Sequence, residues 1–275
     1  MEQINKLRVV WLCHFSNPQI REYLPLKKKR PLYHLIRKIF HRTPKSGRPN
    51  DFAPWVTNGI EEMKKRNDIE LHVISPMSEL KGKTFEMELE GVYYHFYNPF
   101  YTFYLQYLMK NYDLWRKLQT SSRHVKKFIR QIQPDIINLI GAENPYYSGA
   151  ILDVKLNSPI MVSLQTYFTN PDRLKFYPDI DTYFGVYGRM HYDLLLHDNP
   201  NAVIFSFSWC SSTLPEVKAL NKEYDFVNFA VSLSSKKGFH DSIKALAIVK
   251  LKYPTVKLNL VGSSTPEVKN ELAKL

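Results

Sequence analysis

The stretch Phe226–Gly262, FVNFAVSLSSKKGFHDSIKALAIVKLKYPTVKLNLVG, narrows the choice of fold more than any other part of the chain. Phe226–Val231 is a short apolar, β-branched run, Leu233–Lys237 is polar, and Gly238 breaks the chain before His240–Lys252, where Ile243, Leu246, Ala247 and Leu251 recur at helical spacing. Pro254 ends that helix, and Val256–Val261 is a second apolar run closed by Gly262. Strand, crossover helix and strand make a βαβ unit, whose parallel strands are expected to be buried on both faces. The loop with Lys236, Lys237 and Gly238 then falls at the carboxyl end of the first strand, where open α/β sheets place their ligands. A lysine beside a helix N-terminus suits a phosphate; a solvated loop charge is the other reading, and spacing leaves both open.

Runs of the same kind recur earlier. Leu7–Cys13, Glu70–Ser75, Asp135–Ile140, Ser158–Thr166 and Ala202–Phe207 read as strands, while Asp51–Arg66, Lys110–Gln133, Arg189–His197 and Leu214–Tyr224 read as helices. The loop after the first strand, His14-Phe15-Ser16-Asn17-Pro18, has no glycine, which disfavours a tight phosphate cradle there. Val9–Cys13 is too short for a secretion signal, and no small-residue cleavage site follows it. Gly91–Met109 is uncharged, but Asn98-Pro99 interrupts it and its tyrosines make it too polar to span a membrane. Trp55 reads as a packing residue.

The 275 residues are 44% hydrophobic, enough for a substantial core, and the formal charge of +12 points to anionic partners. Much of that charge lies in Arg21–Arg48, where Glu22 is the single acid and Leu32, Leu35, Ile36, Ile39 and Phe40 recur at helical spacing. Such a basic amphipathic helix either lies on an anionic membrane surface or forms a solvated insertion, and nucleic acid is not an expected partner. Tyr93–Trp115 is rich in aromatic residues, which suits a membrane interface, a sugar-stacking wall or a half-buried helix. Cys13 and Cys210 form neither a disulfide framework nor a metal-ligand spacing, which fits a reducing cytoplasm. Asp179-Ile180-Asp181 spells an Asp-x-Asp motif in a tyrosine-rich loop and is read as coincidence, so no metal or cofactor is expected.

The serine-rich loop, Lys237-Gly238 and SIKALAIVKLKYPTVKLNLVG resemble the start of the second domain of the group 1 glycosyltransferases, glycosyltransferase family four. APW and IELHVISP around the Asp51–Arg66 helix, and PDIINLIGAE with SPIMVSLQT, resemble parts of the first. The resemblance implies an α/β protein of GT-B type. A Rossmann-like N-terminal domain would occupy 1–213, and an incomplete second Rossmann-like domain 214–275. About 60 residues follow Pro215 against about 100–150 in a doubly wound domain, so the chain is expected to be a fragment without the family's paired glutamates.

The implied activity is transfer of a sugar, with retention of configuration, from a nucleotide-diphosphate sugar to a glycan or lipid-linked acceptor in bacterial-type surface polysaccharide synthesis. That places the protein in the cytoplasm, peripheral at the inner face of the membrane. Lys237, with Gly238, falls on the position of the lysine that contacts the donor diphosphate, and Ser232 stands where the family has an arginine. On the acceptor side the resemblance implies Glu143, Gln165, Asn17 and Ser16, with His14 in the same loop. Asn138 and Gln165 stand where family histidines are common, and an amide orients a hydroxyl but takes no proton at neutral pH. Glu143 either holds acceptor hydroxyls or caps the segment after it. A non-catalytic module holding an anionic glycan, lipid or nucleic acid on its basic and aromatic surface is the alternative class.

Overall fold

The structure is a computed structural model that describes residues 6–27, 53–99, 113–142, 147–148, 150, 158–165, 183–186, 188–208, 226–233, 237–264, 268, 270 and 272. Most of the basic segment, the aromatic residues 100–112, Asp179–Asp181, Cys210 and the helix expected over Leu214–Tyr224 lie outside the described residues. Two compact units divide the chain, Met1–Ser212 and Thr213–Leu275.

Unit 1 is built on eight strands: β1 (Leu7–Leu12), β2 (Ile69–Pro76), β3 (Thr84–Leu89), β4 (Val92–Tyr97), β5 (Ile136–Ile140), β6 (Ile160–Ser163), β7 (Tyr183–Val186) and β8 (Val203–Ser206). Their order in the sheet is β3-β4-β2-β1-β5-β6-β7-β8, and every pairing is parallel except β3 with β4. The order in which strands are added to the sheet reverses at β1, which has β2 on one side and β5 on the other. Helices α1 (Pro18–Tyr23) and α2 (Pro54–Met63) pack on one face, where Val9, Cys13, Ile20, Val56, Ile60, Val73 and Tyr94 share a core. The other face holds Val10, Leu12, Ile137, Val162 and Phe184 under α3 (Asp113–Ile132) and α4 (Arg189–Asp198), which contribute Phe128 and Leu195. This alternation along β1 is the period of two that a strand buried on both faces requires.

The β3–β4 hairpin was not expected from the sequence. Its two-residue turn, Glu90-Gly91, has φ of 52° and 77°, the pair of positive values that a type I′ hairpin uses. Strand β7 was likewise unmarked, being four residues long with Gly185 at its centre.

A row of polar side chains ties β2, β4 and β3 together. His72 Nδ1 lies 3.0 Å from His95 Nε2, His72 Nε2 lies 2.9 Å from Glu70, and His95 Nδ1 lies 2.9 Å from Glu86. Burial holds the pKa of His95 below its ordinary 6.5, against the pull of Glu86. In its neutral form His95 donates to Glu86 through Nδ1 and turns Nε2 toward the His72 ring. His124 on α3 is also pushed down, first by burial and then by Lys127 and Lys83.

For both rings the native state prefers the neutral form, so the unfolded chain binds more protons around and below pH 6.5. Their stabilising contribution is present above that value and is lost as pH falls through the lower native pKa values. Thermal melts are therefore expected to move to lower temperature between pH 7.5 and pH 5, and His124→Gln to flatten that slope. A melting temperature that rises on acidification in both proteins contradicts the assignment.

Candidate functional site

Two places gather the residues singled out from sequence, one in each unit. In unit 1 the loops after β1 and β5 leave the sheet on either side of the point where strand order reverses, the place where open α/β sheets bind ligands. The first of these loops is pinned to β2: the Phe15 N–H donates to Ser75 Oγ at 2.9 Å, and that hydroxyl lies 3.1 Å from the Phe15 carbonyl. Asn17 caps α1, its side-chain oxygen accepting from the Ile20 N–H at 2.8 Å. Ser16 is fully buried and its hydroxyl accepts from Arg21, which pairs with Glu79. Ser16 and Asn17 thus shape the loop from within, while His14 and Pro18 at its two ends are exposed.

At the end of β5, Gly141 turns with φ 80°, its N–H bonded to the Ser163 carbonyl, while the buried Tyr147 hydroxyl reaches the carbonyls of Ile140 and Gly141 at 2.8 and 2.9 Å. Gln165 is half-buried just beyond β6, next to Leu164, whose N–H bonds to Gly185. Glu143 lies outside the described residues.

Unit 2 contains strands β9 (Phe226–Ser232) and β10 (Leu258–Ser263), paired in parallel, joined through helix α5 (Phe239–Lys252). The βαβ unit read from the sequence is present. Burial on both faces is not: Phe226 and Val227 are 52% and 61% exposed, and Leu251 on α5 is 87% exposed. The two described strands are too narrow to cover the whole apolar stripe of α5, so Leu246 and Val249 face the sheet while Ala247 and Leu251 do not.

The turn between β9 and α5 is closely built. Gly238 takes a left-handed conformation, φ 70°, as the residue before the helix, and Leu233 and Phe239 on either side are buried. Asn228 on β9 donates to Ser242 Oγ, which in turn lies 3.2 Å from the Gly238 carbonyl. Lys237 is exposed directly before Gly238, beside the first-turn amides of α5. Asp241 occupies the same first turn and offsets part of that positive potential. The backbone of Ser232 ends β9. Among the described residues no group of three or more His, Cys, Asp or Glu side chains is placed to hold a metal ion, and no helix is long and apolar enough to cross a membrane.

Unit 1 also holds a cavity of about 200 Å³ that sequence reasoning did not assemble, between α2 and the sheet. Its walls include Trp11, Trp55, Asn138, Ser163, Phe205 and Phe207. Trp11, Asn138 and Met161 stand in register across β1, β5 and β6, which puts them on one face. The available signal was the polar Asn138 inside the otherwise apolar run IINLI.

No family model and no curated protein matches the chain. Solved structures do, at low identity. Sucrose-phosphate synthase from Thermosynechococcus elongatus aligns over 95% of this chain and 64% of its own, at 10% identity and a TM-score of 0.52. The E. coli trehalose-6-phosphate structure bound with UDP-2-fluoro glucose aligns over 97% of this chain and 68% of its own, at 11% identity and a TM-score of 0.54. Trehalose-6-phosphate synthase studied with bisubstrate glycomimetics aligns over 97% and 68%, at 11% identity and a TM-score of 0.53. The chain therefore spans about two thirds of their length, less than that for the first. The fold class is α/β of GT-B type, as the family resemblance implied.

The left-handed turn at Gly238 gives a direct check on unit 2. Among the described residues a methyl group there meets only Asp241 Oδ2, at 3.8 Å, so the cost of Gly238→Ala is that of the backbone conformation, about 1 kcal/mol. Chemical denaturation should show a loss of that size, and Gly238→Asn a smaller one.

Proposed function

We propose that the chain is a glycosyltransferase that moves a sugar from a nucleotide-diphosphate sugar to a glycan or lipid-linked acceptor. One observation carries the reading: the β9–α5 turn presents an exposed Lys237 next to the amides of a helix N-terminus, at the carboxyl end of a parallel strand. That arrangement suits a diphosphate, and the likeness in fold to a structure bound with UDP-2-fluoro glucose supports it. In the reaction the bond from the sugar C1 to the diphosphate oxygen breaks and its electron pair leaves with the diphosphate. Lys237 and the α5 amides, set by the Gly238 turn and the end of β9 at Ser232, stabilise the charge that develops there.

The acceptor hydroxyl forms the new bond to C1. The amides of Asn138 and Gln165 take up no proton, so the departing phosphate oxygen receives it, which fits attack on the same face and retention of configuration. Gln165, Glu143 and the loop holding Ser16 and Asn17 are the acceptor side in this reading. A lipid-linked acceptor of surface polysaccharide synthesis accords with the basic segment Arg21–Arg48, which would hold the protein peripherally at an anionic inner membrane face.

Assay of the full chain with a panel of uridine, guanosine and adenosine diphosphate sugars tests the donor. Lys237→Ala should lower turnover about 100-fold, the usual cost of removing one preorganised charge-stabilising group, with the melting temperature unchanged because the side chain is exposed. Turnover equal to wild type removes Lys237 from the reaction.

The membrane reading makes a separate prediction. The protein should sediment with phosphatidylglycerol vesicles at low salt, and Arg37→Glu with Lys38→Glu should release it. Absence of sedimentation by the wild type ends that part of the proposal.

A further inference from the structure

The cavity between α2 and the sheet is an unusual thing to find on this face. Asn138 and Ser163 are 7% and 6% exposed, and the Ser163 hydroxyl donates to Asn138 Oδ1 at 2.9 Å. The oxygen of the amide is thus engaged, while its NH2 group has no acceptor among the described residues and borders the cavity. That NH2 group is not among the sealed, unpaired polar atoms of the described residues, so it stays accessible from the cavity to water or to a ligand oxygen. What the position offers is a hydrogen-bond donor at the wall of a space whose lining includes the rings of Trp11, Trp55, Phe205 and Phe207.

We propose that this cavity binds one uncharged pyranose ring of the acceptor, stacked on an indole and held by the Asn138 NH2 group. The inference rests on unit 1 being the acceptor side of the proposed transferase, and it names the acceptor's chemical class. Size agrees: a cavity of about 150 Å³ holds benzene, so about 200 Å³ holds a single substituted ring and not two. Chemistry agrees as well. The axial C–H face of a pyranose is apolar and lies flat on an aromatic wall, while its equatorial hydroxyls need donors and acceptors at the rim.

Among the described residues none of the lining side chains is charged, so a phosphorylated or carboxylated sugar would bury an ion without a counterion. The Ser163–Asn138 bond sets the orientation of the amide: the hydroxyl donates to Oδ1, which turns the NH2 group outward from β6.

The test is nitrogen-15 NMR of the full chain, with no nucleotide sugar present, titrated with methyl glucopyranoside and methyl galactopyranoside. Glucose 6-phosphate and glucuronate serve as charged controls. The side-chain amide of Asn138 and the indole N–H signals of Trp11 and Trp55 should shift with the neutral glycosides and not with the controls. Asn138→Leu should weaken binding about tenfold, the loss of one hydrogen bond to a buried group.

The proposal is overturned if the charged sugars shift the same signals equally, if no neutral glycoside moves them, or if Asn138→Leu binds as wild type. Should that variant not fold, the wild-type amide and indole shifts alone decide the matter. Failure of the Lys237 test leaves this outcome untouched, because the titration contains no donor.

Discussion

Unit 1 depends on the parallel pairing of β1 with β2 on one side and β5 on the other. Val10 and Leu12 point into one core and Val9 and Cys13 into the other, so removing this strand would open both. Each of those side chains contributes about 1.5–3 kcal/mol by leaving water. The same two-sided pairing creates the reversal of strand order, and with it the divergence of the loops that follow β1 and β5. Burial leaves Cys13 with its thiol pKa pushed far up, so it acts as a small apolar residue and not as a nucleophile.

The internal geometry of the loops follows from that frame. Asn17 and Ser16 were read from sequence as acceptor contacts, and their side chains are engaged by Ile20 and Arg21. A short polar side chain before a proline at a helix start is a capping residue by ordinary physical chemistry. Their part in the proposed acceptor site is therefore to hold the loop in shape, which leaves contact with a ligand to exposed neighbours such as His14.

Long apolar runs were the legible part of the sequence. LRVVWL, IELHVISP and IINLI form the strands their patterns predict, because a strand buried on both faces has few other ways to hide its side chains, and the Phe226–Gly262 unit forms its strand, helix and strand although its faces stay partly exposed. The β3–β4 hairpin was hard to read because Glu90-Gly91 is a weaker turn signal than Asn-Gly. Strand β7 is short and owes its place to neighbours on either side. For the site, Lys237 and Gly238 could be picked out locally, since turn and helix adjoin in sequence. The cavity could not, because Trp11, Trp55, Asn138 and Phe205 meet only once β1, α2, β5 and β8 are assembled.

The two borders of the large sheet differ in chemistry. On β3 the border strand carries Glu86 and Glu88, and a charge along a sheet margin repels a second copy before it can pair. On β8 the border is VIFS, with Val203 and Phe205 exposed to 55% and 36% and no formal charge in the strand. Among the described residues of unit 1 the sheet is consequently polarised: one margin carries carboxylates, whereas the other is a β-branched and aromatic strip without a charge of its own.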